Sequence, residues 1–378
     1  MKCNKRVHGM FVHLLTWSWI IGFTFVWILP DGITNLIKPI VICGCMIDVL
    51  RKKRSFRIDM FCGGLIVFGV HCVLCSFVAS ENQWLATVSF GANILYAVCI
   101  CICGYEKEEY RYMLRMLKAA SLVLAVVVLC SNPLPSLPEN NVLKLFSVAI
   151  NKNAVSYLIA PGSLICMDQL LRRRRKIEKL IYAAELAVLV YAGIYPMSRG
   201  GFLCILLPIG LLVVDWVIQI IKQKEYTKLY VCIVLSNLCA AVGLLLLQGR
   251  YRERLLSMDS YTYFSARDTL AKEGIELVKG SELFGKGFGY YQKMMNTSYG
   301  SHNCFVDVYV ATGLIGVLLF CGIFVYLLVR LRNNTGRAWL GMAFLCAMVE
   351  SQMSYQFWIP IAMAYLLCNR ERCEVWKE

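Results

Sequence analysis

The sequence predicts an all-α polytopic membrane protein with about twelve transmembrane helices. The 378 residues are 58% hydrophobic and have a mean hydropathy of +0.60. Only 17% of them are charged, against roughly 25% in soluble domains. Apolar runs of about 20 residues, long enough to cross the hydrocarbon core, recur from end to end. The runs are unbroken and lack period-two alternation, which excludes a membrane β-barrel.

The basic residues agree with this fold class and set its orientation. The net charge is +15, but the basic residues form short clusters between apolar runs, which is the positive-inside pattern and not a nucleic-acid-binding one. With both termini in the cytoplasm, every strong basic cluster falls on the inner side. The first apolar run lacks a small-residue cleavage site, so it is interpreted as a retained helix.

We expect one integral membrane domain, residues 1–378, with the long polar segment 248–301 outside the membrane, between the ninth and tenth helices. The predicted spans cover residues 11–29, 33–50, 59–79, 84–103, 116–131, 147–171, 179–196, 201–221, 228–247, 303–329, 337–350 and 355–368. The inner connections include the charged segment Glu106–Lys118 and the basic cluster Arg172–Lys176.

The polar segment is predicted to be folded. Structureless loops longer than about 15 residues are uncommon and are usually functional or disordered, and this segment is rich in Tyr, Phe and Leu with nearly balanced charges. Ser265–Lys279 has helical spacing, and Gly280 is a plausible C-terminal stop. Arg267 would lie in the first turn, where a cation is unfavourable. It is either a solvated charge or a ligand for phosphate or sugar.

The nineteen cysteines are interpreted as packing residues. Nearly all of them lie within apolar runs, where a free thiol behaves as a small buried hydrophobe. A metal or disulfide framework is the less favoured reading.

Two short motifs carry the candidate chemistry. Ser198-Arg199-Gly200-Gly201 follows the seventh span. Arg199 there either snorkels to the interface or presents a planar fork to phosphate oxygens. Ser301-His302-Asn303 begins the tenth span. A lone histidine is usually structural, but the ordinary pKa of about 6.5 suits a general base, and Asn303 could fix its tautomer.

Other polar residues are placed by the topology. Lys38, Lys152 and Glu350 lie near the outer mouth and, with Asn303, are candidate substrate ligands. Glu185 and Asp215 lie nearer the inner side and serve packing or lipid contacts. The mid-membrane His71 has no evident partner in the sequence. No acidic D-x-D pair occurs on the outer side, which predicts that no metal is bound.

The motifs together resemble the superfamily of O-antigen ligases and Wzy-type polysaccharide polymerases. The resemblance is strongest from Asn151 to Gly316. The features that carry it, in chain order, are Asn151-Lys152-Asn153, Ser198-Arg199-Gly200, Ala266-Arg267-Asp268 with Leu283-Phe284-Gly285-Lys286-Gly287, and Ser301-His302-Asn303 with Thr312-Gly313-Leu314-Ile315-Gly316. One departure is that Ala266–Leu270 lacks the aromatic residue that often follows the family's arginine.

The resemblance implies a GT-C-type fold and a cofactor-free, metal-independent glycosyltransferase of the bacterial cytoplasmic membrane. Arg199 and Arg267 would bind the pyrophosphate of an undecaprenyl-linked glycan, and His302 would activate the acceptor hydroxyl. Polymerisation of repeat units is the first expectation, with a flippase and a chain-length regulator as possible partners. Ligation of the glycan to lipid A core is the alternative. A polysaccharide transporter fits less well, since no repeated halves are detected.

Overall fold

The computed structural model describes residues 10–24, 31–51, 59–79, 84–103, 107–132, 143–145, 148–172, 175–196, 198–227, 230, 261–297, 300–349 and 355–372. In these ranges the chain is a helical bundle with one β-hairpin. The elements are α1 (Met10–Thr24), α2 (Asp31–Arg51), α3 (Met60–Val78), α4 (Trp84–Cys103), α5 (Lys107–Ser131), β1 (Leu143–Leu145), β2 (Val148–Ile150), α6 (Lys152–Arg172), α7 (Lys176–Ile194), α8 (Arg199–Lys222), α9 (Tyr261–Leu277), α10 (Tyr290–Met294), α11 (Cys304–Arg330), α12 (Asn334–Val349) and α13 (Tyr355–Arg372).

The predicted helical membrane fold is confirmed, whereas the count of twelve spans stays a prediction. Six helices among the described residues are long and apolar enough to cross a membrane: Met60–Val78, Trp84–Ile102, Glu108–Ser131, Asn153–Arg172, Arg199–Lys222 and Cys304–Arg330. The predicted ninth span, 228–247, and the start of the polar segment, 248–260, fall almost wholly outside the described residues.

Two packed groups of helices are joined by α12 and, separately, by α1 and α2, since α1 packs against α5 and α2 against α4. In the first group α5, α6, α7 and α8 pack against one another, and in the second α3 packs against α4 and α11, with α13 against α4. Helix α12 contacts α6 and α8 on one side and α11 and α13 on the other. One large hydrophobic core runs through both groups. The position of α12 matters because the candidate catalytic residues lie on its two sides.

The fifth helix corrects one predicted boundary. It begins at Lys107 rather than 116, so most of the charged segment predicted as a connection is helical, with Glu108 and Glu109 at the helix N-terminus, where acids are stabilising. Lys118 lies within it and donates to Glu185 of α7 at 2.6 Å. Glu185, assigned from sequence to packing or lipid contacts, therefore forms an interhelical ion pair, an arrangement by which charges at membrane depth are stabilised.

The hairpin β1–β2 corrects the purely helical expectation. Its strands pair antiparallel, Leu143 opposite Ile150, and α6 consequently begins at Lys152 rather than at 147. Asn132 fastens the hairpin to the end of α5, because its amide donates to the Lys144 carbonyl at 2.6 Å and accepts from the Lys144 N–H at 3.1 Å. The Tyr195 hydroxyl donates to the Asn132 carbonyl at 2.7 Å, which ties the end of α7 to the same point.

The orientation of the bundle can be tested by cysteine labelling in a background without native cysteines. We expect a membrane-impermeant maleimide to label Lys279→Cys in intact cells, because residues 248–301 are predicted to be extracytoplasmic. Lys176→Cys, in the basic cluster predicted inside, should react only after permeabilisation. Both side chains are exposed, so burial would not hide either thiol. Labelling of Lys279→Cys only after permeabilisation would mean that the helix count is wrong.

Candidate active site

The structure joins the first two sequence motifs at one end of α6 and α8. Ser198 caps α8 by accepting from the Gly201 N–H at 3.0 Å, and its hydroxyl also donates to the amide oxygen of Asn153. A side chain at Gly201 would collide with Ser156 of α6, so glycine permits the close approach of the two helices. Arg199 is the first residue of α8 and is half-buried. The cap and the close helix contact therefore hold its backbone in place.

A tight turn holds His302 immediately before α11. The Asp307 carboxylate accepts from the Ser301 N–H at 2.9 Å and from the Ser301 hydroxyl at 2.8 Å. The Asn303 side chain caps α11 by accepting from the Phe305 N–H at 2.9 Å. His302 between them has φ +59°, an uncommon conformation for a residue other than glycine, and one that concentrates at functional sites.

The hydrogen bonds of this turn give Asn303 and Asp307 roles that the sequence did not predict. The Asn303 amide oxygen serves the helix cap, so Asn303 can offer substrate only its NH₂ group. Asp307 was missed from the sequence. Its position one turn into α11, five residues after His302, is the signal that could have found it.

The end of the polar segment folds against α11. Tyr291 of α10 packs with Val278 and Val310 in a small second core, and its hydroxyl donates to the Leu270 carbonyl of α9 at 3.3 Å. The helix predicted at Ser265–Lys279 is therefore confirmed, with earlier bounds. Because α9 begins at Tyr261, Arg267 lies in its second turn and not its first. The unfavourable dipole inferred for Arg267 does not apply, and only the backbone of this residue is described.

The glycine-rich segment repairs a break in α11. Gly313 leaves the helical conformation, with φ +65° and ψ −166°. The carbonyls of Val310 and Ala311 accept instead from the Lys286 N–H at 2.7 Å and the Gly287 N–H at 2.9 Å. In return, the Leu314 N–H donates to the Glu282 carbonyl at 2.8 Å. Backbone groups freed at membrane depth must find such partners.

Both motifs at the break need glycine. Gly285 has φ +72°, and a Cβ there would lie 2.5 Å from the Thr312 nitrogen. A Cβ at Gly313 would collide with the Leu283 carbonyl group. The alternation of glycine at positions 285, 287 and 289 predicts a tight backbone path close to another segment. The structure confirms this and supplies the partner, since residues 283–287 lie against residues 310–315.

His71, without an evident partner in the sequence, also serves the break. Its Nε2 lies 3.1 Å from the Thr312 carbonyl oxygen. A carbonyl oxygen only accepts, so in this contact Nε2 carries a proton and donates it. Cys75, one turn later on α3, has its sulfur 3.4 Å from the same nitrogen. The C-terminal half of α3 is thus joined to the broken part of α11.

Arg199 and His302 lie at the same end of the bundle, on opposite sides of α12. Cys204, five residues into α8, has its sulfur 3.8 Å from that of Cys346 on α12. Phe305, three residues after His302, has its ring centroid 5.8 Å from that of Phe344. Positions 344 and 346 differ in height by only about 3 Å along the helix. Arg199 lies five residues beyond the first contact and His302 three residues beyond the second, so both lie at the same end of the bundle, with α12 between the helices that carry them.

The remaining predicted ligands are less closely associated. Lys38 is buried and donates to Ser89 of α4 at 2.8 Å, on a helix that packs against α1 and α4. Lys152 is the first residue of α6, and its side chain is not described. Glu350 lies outside the described residues.

The acidic side chain nearest the glycine-rich segment, that of Glu282, is exposed. The Gly280 N–H donates to the Glu282 carboxylate at 2.9 Å and thereby lowers the pKa of that side chain, with a smaller contribution from the charge of Lys286. In the described parts of the chain, no group of three or more His, Cys, Asp or Glu side chains could hold a metal ion.

The requirement for glycine at the break can be tested by Gly313→Ala. We expect it to destabilise the protein by about 3 kcal/mol or more, because it adds a collision to a backbone conformation that side chains avoid. Gly322→Ala is the matched control in the same helix, since a Cβ there meets nothing and alanine favours the helix. Melting temperatures of the detergent-purified variants measure the difference. Equal stability of the two variants would show that the break is dispensable.

The family model described as O-antigen ligase matches residues 184–321. The match includes Arg199, Arg267 and His302 and excludes the motif at 151–153. The curated proteins include no significant match. The chain is similar to a solved structure titled "Structural coordination of polymerization and crosslinking by a peptidoglycan synthase complex", at 16% identity and a TM-score of 0.44, over 85% of this chain and 100% of that one.

The match falls on the part of the chain that carries the arginine and histidine motifs, and it supports a function of the O-antigen ligase or polymerase type. It also agrees with the membrane-spanning helices seen in the structure. The resemblance inferred from the motifs is thereby confirmed over residues 184–321, which are similar to the O-antigen ligase family.

Proposed function

We propose that the protein polymerises undecaprenyl-pyrophosphate-linked repeat units into a surface polysaccharide on the outer face of the bacterial cytoplasmic membrane. It would do so as a twelve-helix, GT-C-type glycosyltransferase. The observation that carries the proposal is the placement of Arg199 and His302 at one end of the bundle, on either side of α12. This leaves a cationic fork on one flank and an imidazole on the other, with α12 between them.

The chemistry follows from these two groups. The bond between the anomeric carbon and the pyrophosphate of the donor breaks, and its electron pair leaves with the pyrophosphate. Arg199, together with Arg267, would stabilise the negative charge that develops there. The acceptor hydroxyl attacks the anomeric carbon, and His302 would take its proton. The turn built by Asp307 and Asn303 fixes the backbone from which the imidazole projects.

A ligase that transfers the glycan to lipid A core is the alternative, favoured by the description of the matching family. A deletion strain separates the two. Its surface and lipid-linked glycans would be displayed on a ladder gel. Single bound repeats in place of the ladder are expected for a polymerase. Long lipid-linked chains that never reach the final acceptor would identify a ligase and overturn the proposal. An unchanged ladder would exclude both activities.

We expect transfer to be independent of divalent cations, because the proposed chemistry neutralises the leaving group with arginine. Purified protein with lipid-linked repeat units should retain its initial rate in excess EDTA. A metal-dependent glycosyltransferase assayed in the same lipid mixture serves as the positive control for chelation. Loss of activity that magnesium or manganese restores would contradict the expectation.

A further inference from the structure

A groove with a cavity volume of about 710 Å³ runs between the outer half of α3 and the glycine-rich segment. Its apolar wall includes Leu74, Val78 and Phe284, all of them exposed, Val78 to 84%. Its polar residues include Lys286 and, at the far end, His71. None of the described side chains that line it is acidic. The groove thus combines a cationic side chain with an apolar wall.

The position of the groove suits an amphipathic ligand. Val78 is the last residue of α3, one of the helices able to span a membrane. His71 lies seven residues earlier, about 10 Å deeper along the helix. The end of the groove at Val78 is consequently at the membrane interface, and the end at His71 lies in the hydrocarbon layer. A ligand with a charged head and an apolar chain would match both ends.

We propose that this groove binds the phosphate-bearing end and the first isoprene units of the acceptor's carrier lipid. The inference rests on the proposed polymerase function, because only a polymerase uses an acceptor that is itself polyprenyl-linked. Lys286 would neutralise the phosphate at the interface. Leu74, Val78 and Phe284 would contact the chain.

The geometry assigns the groove to the acceptor rather than the donor. The Lys286 N–H donates to the Val310 carbonyl of α11. Val310 lies six residues, about 9 Å, into that helix, and His302 lies in the turn just before the helix begins. Arg199, the donor ligand, lies on the far side of α12. A lipid in the groove would therefore place its phosphate on the side of His302, with room for the sugars of a repeat unit between its phosphate and the imidazole.

The proposal can be tested with undecaprenyl phosphate and the full-length protein in nanodiscs. Native mass spectrometry should show two bound molecules on the wild type. Lys286→Gln should retain one and bind the second about 10-fold more weakly, the lower end of what losing a charge-assisted hydrogen bond costs. Lys279→Gln is the matched control, an exposed lysine on the same segment paired with Glu276, and should bind two. Lys286→Arg should restore the second site.

Turnover separates this site from the donor site. Lys286→Gln should raise the KM for the acceptor about 10-fold and leave the KM for the donor unchanged. Val78→Trp, which narrows the groove at an exposed position, should act in the same direction without the charge change. Equal binding by Lys286→Gln and Lys279→Gln would overturn the proposal. So would displacement of the second molecule by phosphatidylglycerol as readily as by undecaprenyl phosphate.

The failure of the polymerase proposal would look different. A second, Lys286-dependent undecaprenyl phosphate without any polymer formation would reject the polymerase and retain a carrier-lipid site. Polymer formation with no Lys286-dependent site would retain the polymerase and reject the groove.

Discussion

Replacing His302 with alanine should lower the turnover of glycan transfer by roughly 10²–10⁴, the usual contribution of a general base, while donor affinity is retained. The physical reason is that the proposed base and the proposed donor ligand, Arg199, lie on opposite sides of α12. His302 lies in the turn that we propose faces the acceptor, whereas the proposed ligands of the pyrophosphate, Arg199 and Arg267, lie on other helices. Single-turnover rates and donor affinity, measured on the same preparation, check both parts of the expectation.

A second variant is needed because the backbone conformation at His302 is itself unusual. His302 has a positive φ, so alanine there also strains the backbone, whereas asparagine visits this conformation more readily. His302→Asn should therefore be as stable as the wild type and as slow as the alanine variant. Recovery of activity in His302→Asn would mean that the turn, and not the imidazole, is what the reaction needs. Loss of donor binding with an unchanged chemical step would make His302 a donor ligand.

Hydropathy was sufficient to locate much of the bundle. The predicted bounds of α3 and α4 lie within one residue of the structure, because charged or polar residues close both ends of these apolar runs. Helix α5 shows where the method fails. Its first turns carry Glu108, Glu109 and Arg111, so they resemble a connection by hydropathy although their backbone is helical.

The contacts between residues of the candidate site could not be predicted from hydropathy. Ser198 and Asn153 are 45 residues apart, and His71 and Thr312 are 241 apart. A single sequence records which residues are polar but not which of them pair across helices. The glycines were the exception. Their alternation indicated a close backbone approach, although only the structure shows that the approached segment is the break in α11 at Gly313. The hairpin β1–β2 was missed because strands of three residues are too short for a visible alternation.

Replacing Arg199 with lysine should lower turnover by about 10² even though the positive charge is kept. A guanidinium donates two parallel hydrogen bonds to phosphate oxygens, and an ammonium cannot reproduce that geometry. Ser198 and Gly201 hold the first turn of α8 against α6, so lysine cannot compensate by a shift of the backbone. The measurement is kcat with a lipid-pyrophosphate donor, beside donor affinity. Arg175→Lys, at a residue whose side chain is 82% exposed, is the matched control and should keep full activity.

Comparison of Arg199→Lys with Arg175→Lys also shows whether Arg199 contacts the substrate or only stabilises the fold. A structural role would lower the melting temperature of Arg199→Lys along with its activity. A role at the leaving group would lower kcat at an unchanged melting temperature, and the loss should grow as the donor's leaving group becomes more negative, from phosphate to pyrophosphate. Full turnover in Arg199→Lys would show that charge alone suffices, and the fork would then have to be sought in Arg267, where the same substitution should give the 10² loss instead.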